Sequence, residues 1–172
     1  MPVPRQLDIL KALTEHLEGI SVVGGYSHDL AGRVFRGRMV FGDEVPLPCV
    51  SILEAPRPDE RPRAGGHENA FRAEDWVLLV QGWVEDDAHN PTDPAYMLKA
   101  DVESRLSQIV AINEQNGLPR YPSAFRLGGR INGATIGPGV VRPPQDRISA
   151  KAFFYIPLVL NVALTPTAPF VA

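Results

Sequence analysis

The sequence predicts an α+β domain: a mainly antiparallel β-sheet with two principal helices packed on it and long loops between the elements. Three observations predict it. Trp76-Val77-Leu78-Leu79-Val80-Gln81-Gly82-Trp83-Val84 is an unbroken apolar run that reads as a strand. An amphipathic helix begins directly after it at Asp93-Pro94. A second long run, Ala152–Leu164, alternates as a strand does. The 172 residues fit one domain large enough for a real core. Seventeen prolines and 15 glycines fall mostly between these runs, which places turns and long loops there.

In chain order, residues 4–19 read as a helix. Pro4 suits its first turn, and Leu7, Leu10, Leu13 and Leu17 recur at helical steps as the expected buried stripe. Gly19 and Gly24-Gly25 end it. Residues 33–41 look like a strand whose three arginines mark a face exposed to water or a partner. A strand around Leu47–Glu54 follows, with Pro46 and Pro48 implying an edge or an entry position. Residues 55–74 have no periodicity and combine three prolines, two adjacent glycines and mixed charge. A loop this long inside a domain is often functional. Arg57, Arg61 and Arg63 on it are candidates for docking onto a partner; a tolerated insertion is the other reading.

Trp76–Val84 is apolar on both alternating sets, which predicts a central strand covered on both faces, by helices or by a neighbouring subunit. The next helix is expected from Asp93, as N-cap before Pro94, to Ile112, burying Ala95, Leu98, Val102, Leu106 and Ile109. Residues 118–150 are rich in Gly, Pro and Arg, with a short strand in Ala134–Val141 interrupted by Gly137-Pro138-Gly139. In the final strand Pro157 implies an edge position or a bulge. Thr165–Ala172 is expected to be an arm or loose end.

The chemistry-bearing residues are few. The net charge of -3 argues against a dedicated nucleic-acid binder. Cys49, the single cysteine, reads as a small buried hydrophobe and suits a reducing compartment. The N-terminus lacks the apolar core of a signal peptide. No apolar run approaches the roughly 20 residues of a membrane span, so no membrane partner is expected. Glu85-Asp86-Asp87 with His89 could bind a divalent metal in a metal-dependent enzyme, with His28-Asp29 and His67-Glu68 as scattered additions. There is no second ligand motif, no phosphate-binding glycine loop and no GxSxG. We therefore expect no catalytic residue and no cofactor.

Charge is more informative. From Val84 to Gly117 the acids are Glu85, Asp86, Asp87, Asp93, Asp101, Glu103 and Glu114, against Lys99 and Arg105. From Leu118 to Lys151 the bases are Arg120, Arg126, Arg130, Arg142, Arg147 and Lys151, against Asp146. Either the two regions complement each other within the chain, or an acidic patch on one subunit meets a basic patch on the next. On the second explanation Glu85, Asp86, Asp87, Arg130, Arg142 and Arg147 are the candidate intersubunit residues.

Trp76–Asp87, Asn90-Pro91-Thr92-Asp93 and the helix with Ala100-Asp101-Val102 resemble the central part of tail terminator (tail-completion) proteins of long-tailed phages and prophages. Gly139-Val140-Val141-Arg142-Pro143-Pro144 and Phe153-Phe154-Tyr155-Ile156-Pro157-Leu158 are similar too, as is the order of elements across nearly the whole chain. The resemblance implies a homo-oligomeric, hexameric ring on the head-proximal end of the tail tube. The ring would stop tube polymerisation, bind the major tail tube protein, and present a surface to the head-completion or stopper protein. Genomic DNA would pass through its bore without sequence-specific contacts. It implies no catalytic residue, and places the protein in the virion tail after assembly in the host cytoplasm. Another head–tail connector or minor tail subunit is the alternative within virion proteins.

Overall fold

The computed structural model describes residues 1–39, 44–55 and 72–171. The elements are β1 (Val3–Pro4), α1 (Arg5–Glu18), β2 (Val34–Arg36), β3 (Cys49–Glu54), β4 (Arg72–Trp83), α2 (Asp93–Ser107), the short α3 (Arg126–Gly129), β5 (Gly133–Ile136), β6 (Val140–Arg142), β7 (Phe153–Leu164) and β8 (Phe170–Val171). This is an α+β fold. The main sheet runs β2-β3-β4-β7-β5, with β6 also on β7. All its pairings are antiparallel except β2 with β3.

The central pair is β4 with β7, in register from Arg72↔Leu164 to Trp83↔Phe153. Because side chains alternate across a strand, this register sorts them into two faces. Trp76, Leu78, Val80, Phe154, Ile156, Leu158, Leu160 and Val162 point to one face and are buried. Helices α1 and α2 cover it, α2 with Ala95, Leu98, Val102 and Leu106, which are buried as expected, and Ile109 follows just beyond. Gly82 pairs with Phe154 on the same face, and a Cβ at Gly82 would stand 2.3 Å from the Phe154 ring. Glycine is required there so that the ring can lie flat over the neighbouring strand.

Several boundaries differ from expectation. The buried stripe of α1 is Ile9, Leu13 and Leu17, at steps of four; Leu7 is 38% exposed. The leucine spacing was a competing helical set, and the sheet selects the stripe that includes Ile9. Helix α2 ends at Ser107 rather than Ile112, and its N-cap is Thr92, with no side-chain cap, so Asp93 already lies in the first turn. An acidic side chain there still complements the helix dipole. The 33–41 strand shrinks to three residues, stopped where Gly37 adopts φ +68°. Residues 40–43 lie outside the described residues.

Pro157 occupies an interior strand, not an edge. Its carbonyl accepts from Gly137 N–H at 2.8 Å. Within an extended residue N–H and C=O point to the same side, so the missing proline N–H faces the break between β5 and β6 at Gly137–Gly139. The proline disturbs no bond to β4. Pro48 precedes β3, an entry position, since β3 lies between β2 and β4. The C-terminal stretch is no loose arm: β8 pairs with β1, and Arg5 N–H donates to Pro169 O at 2.8 Å.

Two polar contacts pin the helices. His16 is buried, and its Nε2 lies 2.7 Å from Arg105 O; Arg105 Nε–H donates in return to His16 O at 2.7 Å. Since a carbonyl only accepts, Nε2 carries the proton and the neutral imidazole satisfies the bond. Burial, followed by the nearby Arg105 charge, holds the His16 pKa below its ordinary 6.5 despite that bond. The folded state thus binds fewer protons than the unfolded chain just below this value. The His16 contribution is fully present above about pH 6.5 and is lost as pH falls through the lower folded value. We expect His16→Gln to flatten the loss of urea resistance between about pH 7 and pH 5 relative to the wild type; parallel profiles would contradict it.

Candidate functional site

The second face of the sheet distinguishes this molecule. Over β3 it is closed. Cys49 and Ser51 are fully buried on that side, and the segment after β2 crosses them, with Arg38 N–H donating to Ser51 Oγ and Ser51 Oγ–H donating to Arg38 O. Burial raises the Cys49 thiol to about 11, so it stays protonated and unreactive near neutrality. Across β4 and β7, however, no described helix lies on this face. Val77 is 40% exposed, and Leu79, Gln81, Tyr155, Pro157 and Val159 are half-buried. Among the described residues, helices therefore cover only one of the two faces.

The rim of this face is polar at both ends. At one end Asn161 donates to Asp75 at 3.0 Å and Asn132 donates to Asn161 at 3.3 Å. At the other, Arg142 on β6 stands beside Phe153 and is exposed. An apolar centre with a polar rim is the usual anatomy of a protein–protein contact.

The acidic turn lies at the Arg142 end, and the structure uses much of it within the chain. Glu85 pairs with Lys151 Nζ. That hydrogen bond raises the Lys151 pKa. Asp86 Oδ1 accepts the N–H of Ala152, a fully buried residue, at 2.7 Å. Asp87 accepts from His89 N–H at 2.8 Å and Asn90 N–H at 2.7 Å, closing its own turn, and these bonds lower its pKa. For Glu85 and Asp86, then, complementarity is intramolecular. Asp86→Ala should lower stability by about 1–3 kcal/mol because it strands a buried N–H. Glu85→Ala should leave the thermal midpoint nearly unchanged, as expected for a surface pair. Equal effects in calorimetry would refute this contrast.

The other predicted residues divide. Arg130 donates to Asp8 of α1 at 2.8 Å, again within the chain. Arg142 and Arg147 are exposed and make no ion pair among the described residues; Arg147, at φ +65°, and the 69%-exposed Ile148 form the tip of the Gln145–Ser149 turn. Arg57, Arg61 and Arg63 lie outside the described residues.

Asp101, one of the acids counted between Val84 and Gly117, is buried. It accepts Ser27 N–H through both oxygens, at 3.2 and 3.0 Å, and the His28 Nδ1–H at 2.7 Å, fastening the 20–33 loop to α2. His28, Ser27, Asp87, Asn90, Asp93, Pro94 and Met97 line an open cavity of about 410 Å³ beside this clasp. Among the described residues no three His, Cys, Asp or Glu side chains gather as a metal set, the Glu85-Asp86-Asp87-His89 turn included. No described helix is long and apolar enough to cross a membrane. Compared with known proteins, the chain matches no family model and no curated sequence.

Proposed function

We propose that this protein is a tail-terminator subunit: a structural virion protein whose copies form a ring, of six by the resemblance, that caps the tail tube and joins it to the neck. One observation carries the reading. The strands whose sequences resemble tail terminators, β4 and β7, are those whose second, partly exposed apolar face no described helix covers. A monomeric protein gains nothing from a half-covered central strand, whereas an assembling subunit does. The open, charged ends of that face suit a contact with register rather than a non-specific patch. The docking partners are the major tail tube protein on one side of the ring and the head-completion or stopper protein on the other.

The test is electron microscopy of particles made without the gene. Overlong tubes support termination. Finished tails of normal length that fail to join heads indicate a stopper instead. A strictly monomeric protein, both in solution and on isolated tails, overturns the ring.

A further inference from the structure

Helix α2 has an outward side whose one charge is Asp93 in its first turn. Tyr96, Met97, Ala100, Ser104 and Ser107 are all exposed, Tyr96 at 57% and Met97 at 54%. At 3.6 residues per turn they fall, with Asp93, within about 100° of arc. A solvent-facing helix side normally carries lysine and glutamate. Here Lys99 and Glu103 pair with each other at 2.7 Å at the margin of this arc, leaving it apolar or hydroxylic beyond Asp93 in the first turn. The arc points directly away from the sheet, because Leu98, Val102 and Leu106 on the opposite side are buried against it. One surface of the molecule is therefore a helix side charged only at Asp93, and on the other side of the sheet no described helix covers β4 and β7.

The two surfaces match in order as well as in polarity. Along α2 the sequence of chemistry is acid (Asp93), apolar (Tyr96, Met97, Ala100), then hydroxyl (Ser104, Ser107). Along the bare face it is base (Arg142), apolar (Tyr155, Pro157, Val159 with Leu79 and Val77), then amide and carboxylate (Asn161, Asp75). Their lengths are commensurate: 14 helical steps at about 1.5 Å give about 21 Å, and the eight strand steps from Phe153 to Asn161 give about 27 Å. We infer that α2 of one copy seats on the bare β4–β7 face of a second copy, with Asp93 against Arg142 and Ser104 near Val77. This rests on the reading of the protein as a ring subunit and names the surface that closes the ring. Because the two patches differ, the contact is heterologous, and each subunit keeps one of each patch for its neighbours; the repeat closes into a ring where its rotation allows.

Cysteine crosslinking tests it. Cys49 is fully buried and does not compete. S104C and V77C replace exposed side chains, and unchanged circular dichroism confirms the fold. Under mild oxidation a mixture of the two variants should give disulfide-linked dimers, whereas neither variant should link to itself. A chain carrying both should give a ladder ending in a closed species. R142E should reduce the assembled fraction at least about tenfold, and D93R added to R142E should restore it. Self-linking of S104C overturns the inference, since it requires helix against helix. No link in a mixture whose wild type is a ring by native mass spectrometry also overturns it and leaves the ring standing. A wild type that is monomeric both in solution and on isolated tails overturns both.

Discussion

Gly82→Val should lower the unfolding free energy by about 3 kcal/mol, the largest effect expected of a single substitution here. The added Cβ would stand 2.3 Å from Cε1 and 2.5 Å from Cζ of Phe154. Phe154 is fully buried in the core on the face of the sheet that α2 covers, so its ring cannot rotate out to solvent. Valine's better β-propensity offers at most about 1 kcal/mol in return, so the clash wins. Urea denaturation gives the answer directly. A variant as stable as the wild type would mean that Phe154 has room to move and that the core at this end of the sheet is looser than its burial shows. Combining Gly82→Val with Phe154→Leu should recover part of the loss, because the two residues share one space.

Asp101→Ala should destabilise the fold by about 2 kcal/mol. It removes the acceptor for Ser27 N–H and for His28, at a site where both ionisable side chains are mostly shielded, 16% exposed for His28 and 11% for Asp101. Bonds to a charged acceptor are stronger than neutral ones, but the exposed Ser27 backbone can recover water, which keeps the figure below that of the Gly82 change. The loss should be local in origin. Hydrogen exchange of residues 20–33 should accelerate more than that of β4 and β7, and uniform acceleration would contradict the clasp. Asp101→Asn should lie between the two, since it keeps one oxygen.

Much of the fold was legible because two periodicities dominate the sequence. The alternation in Ala152–Leu164 and the apolar Trp76–Val84 run identified the central pair, and the spacing of Ala95, Leu98, Val102, Leu106 and Ile109 identified the face of α2 on the core. What failed had a common cause: it depended on which of two available sets the tertiary structure would choose. Leu7 and Ile9 both lie on plausible helical stripes, and only the sheet decides between them. A charge count along the chain passes over the place of Asp101 on the helix, where it stands next to Val102 at the edge of the buried stripe. The pairing of Glu85 with Lys151 and of Asp86 with Ala152 N–H needs β4 and β7 to be antiparallel neighbours in register, which charge counting along the chain does not contain. The bare side of the sheet was visible as an excess of apolar residues on β4, but not whether this chain would cover it.

The β4–β7 pairing also governs how the molecule is born. Leu78 and its partner Leu158 are 80 residues apart. During synthesis β4 is complete, apolar and unpaired on its β7 side long before β7 leaves the ribosome. Closing so long a loop is slow compared with forming α1 or α2, so nascent chains carry an adhesive edge for the whole interval. The helices that shield one face of β4 can collapse early, but the strand's hydrogen-bonding edge waits for the last fifth of the chain. The yield of folded protein is then set by a race between completing each chain and meeting another unfinished one.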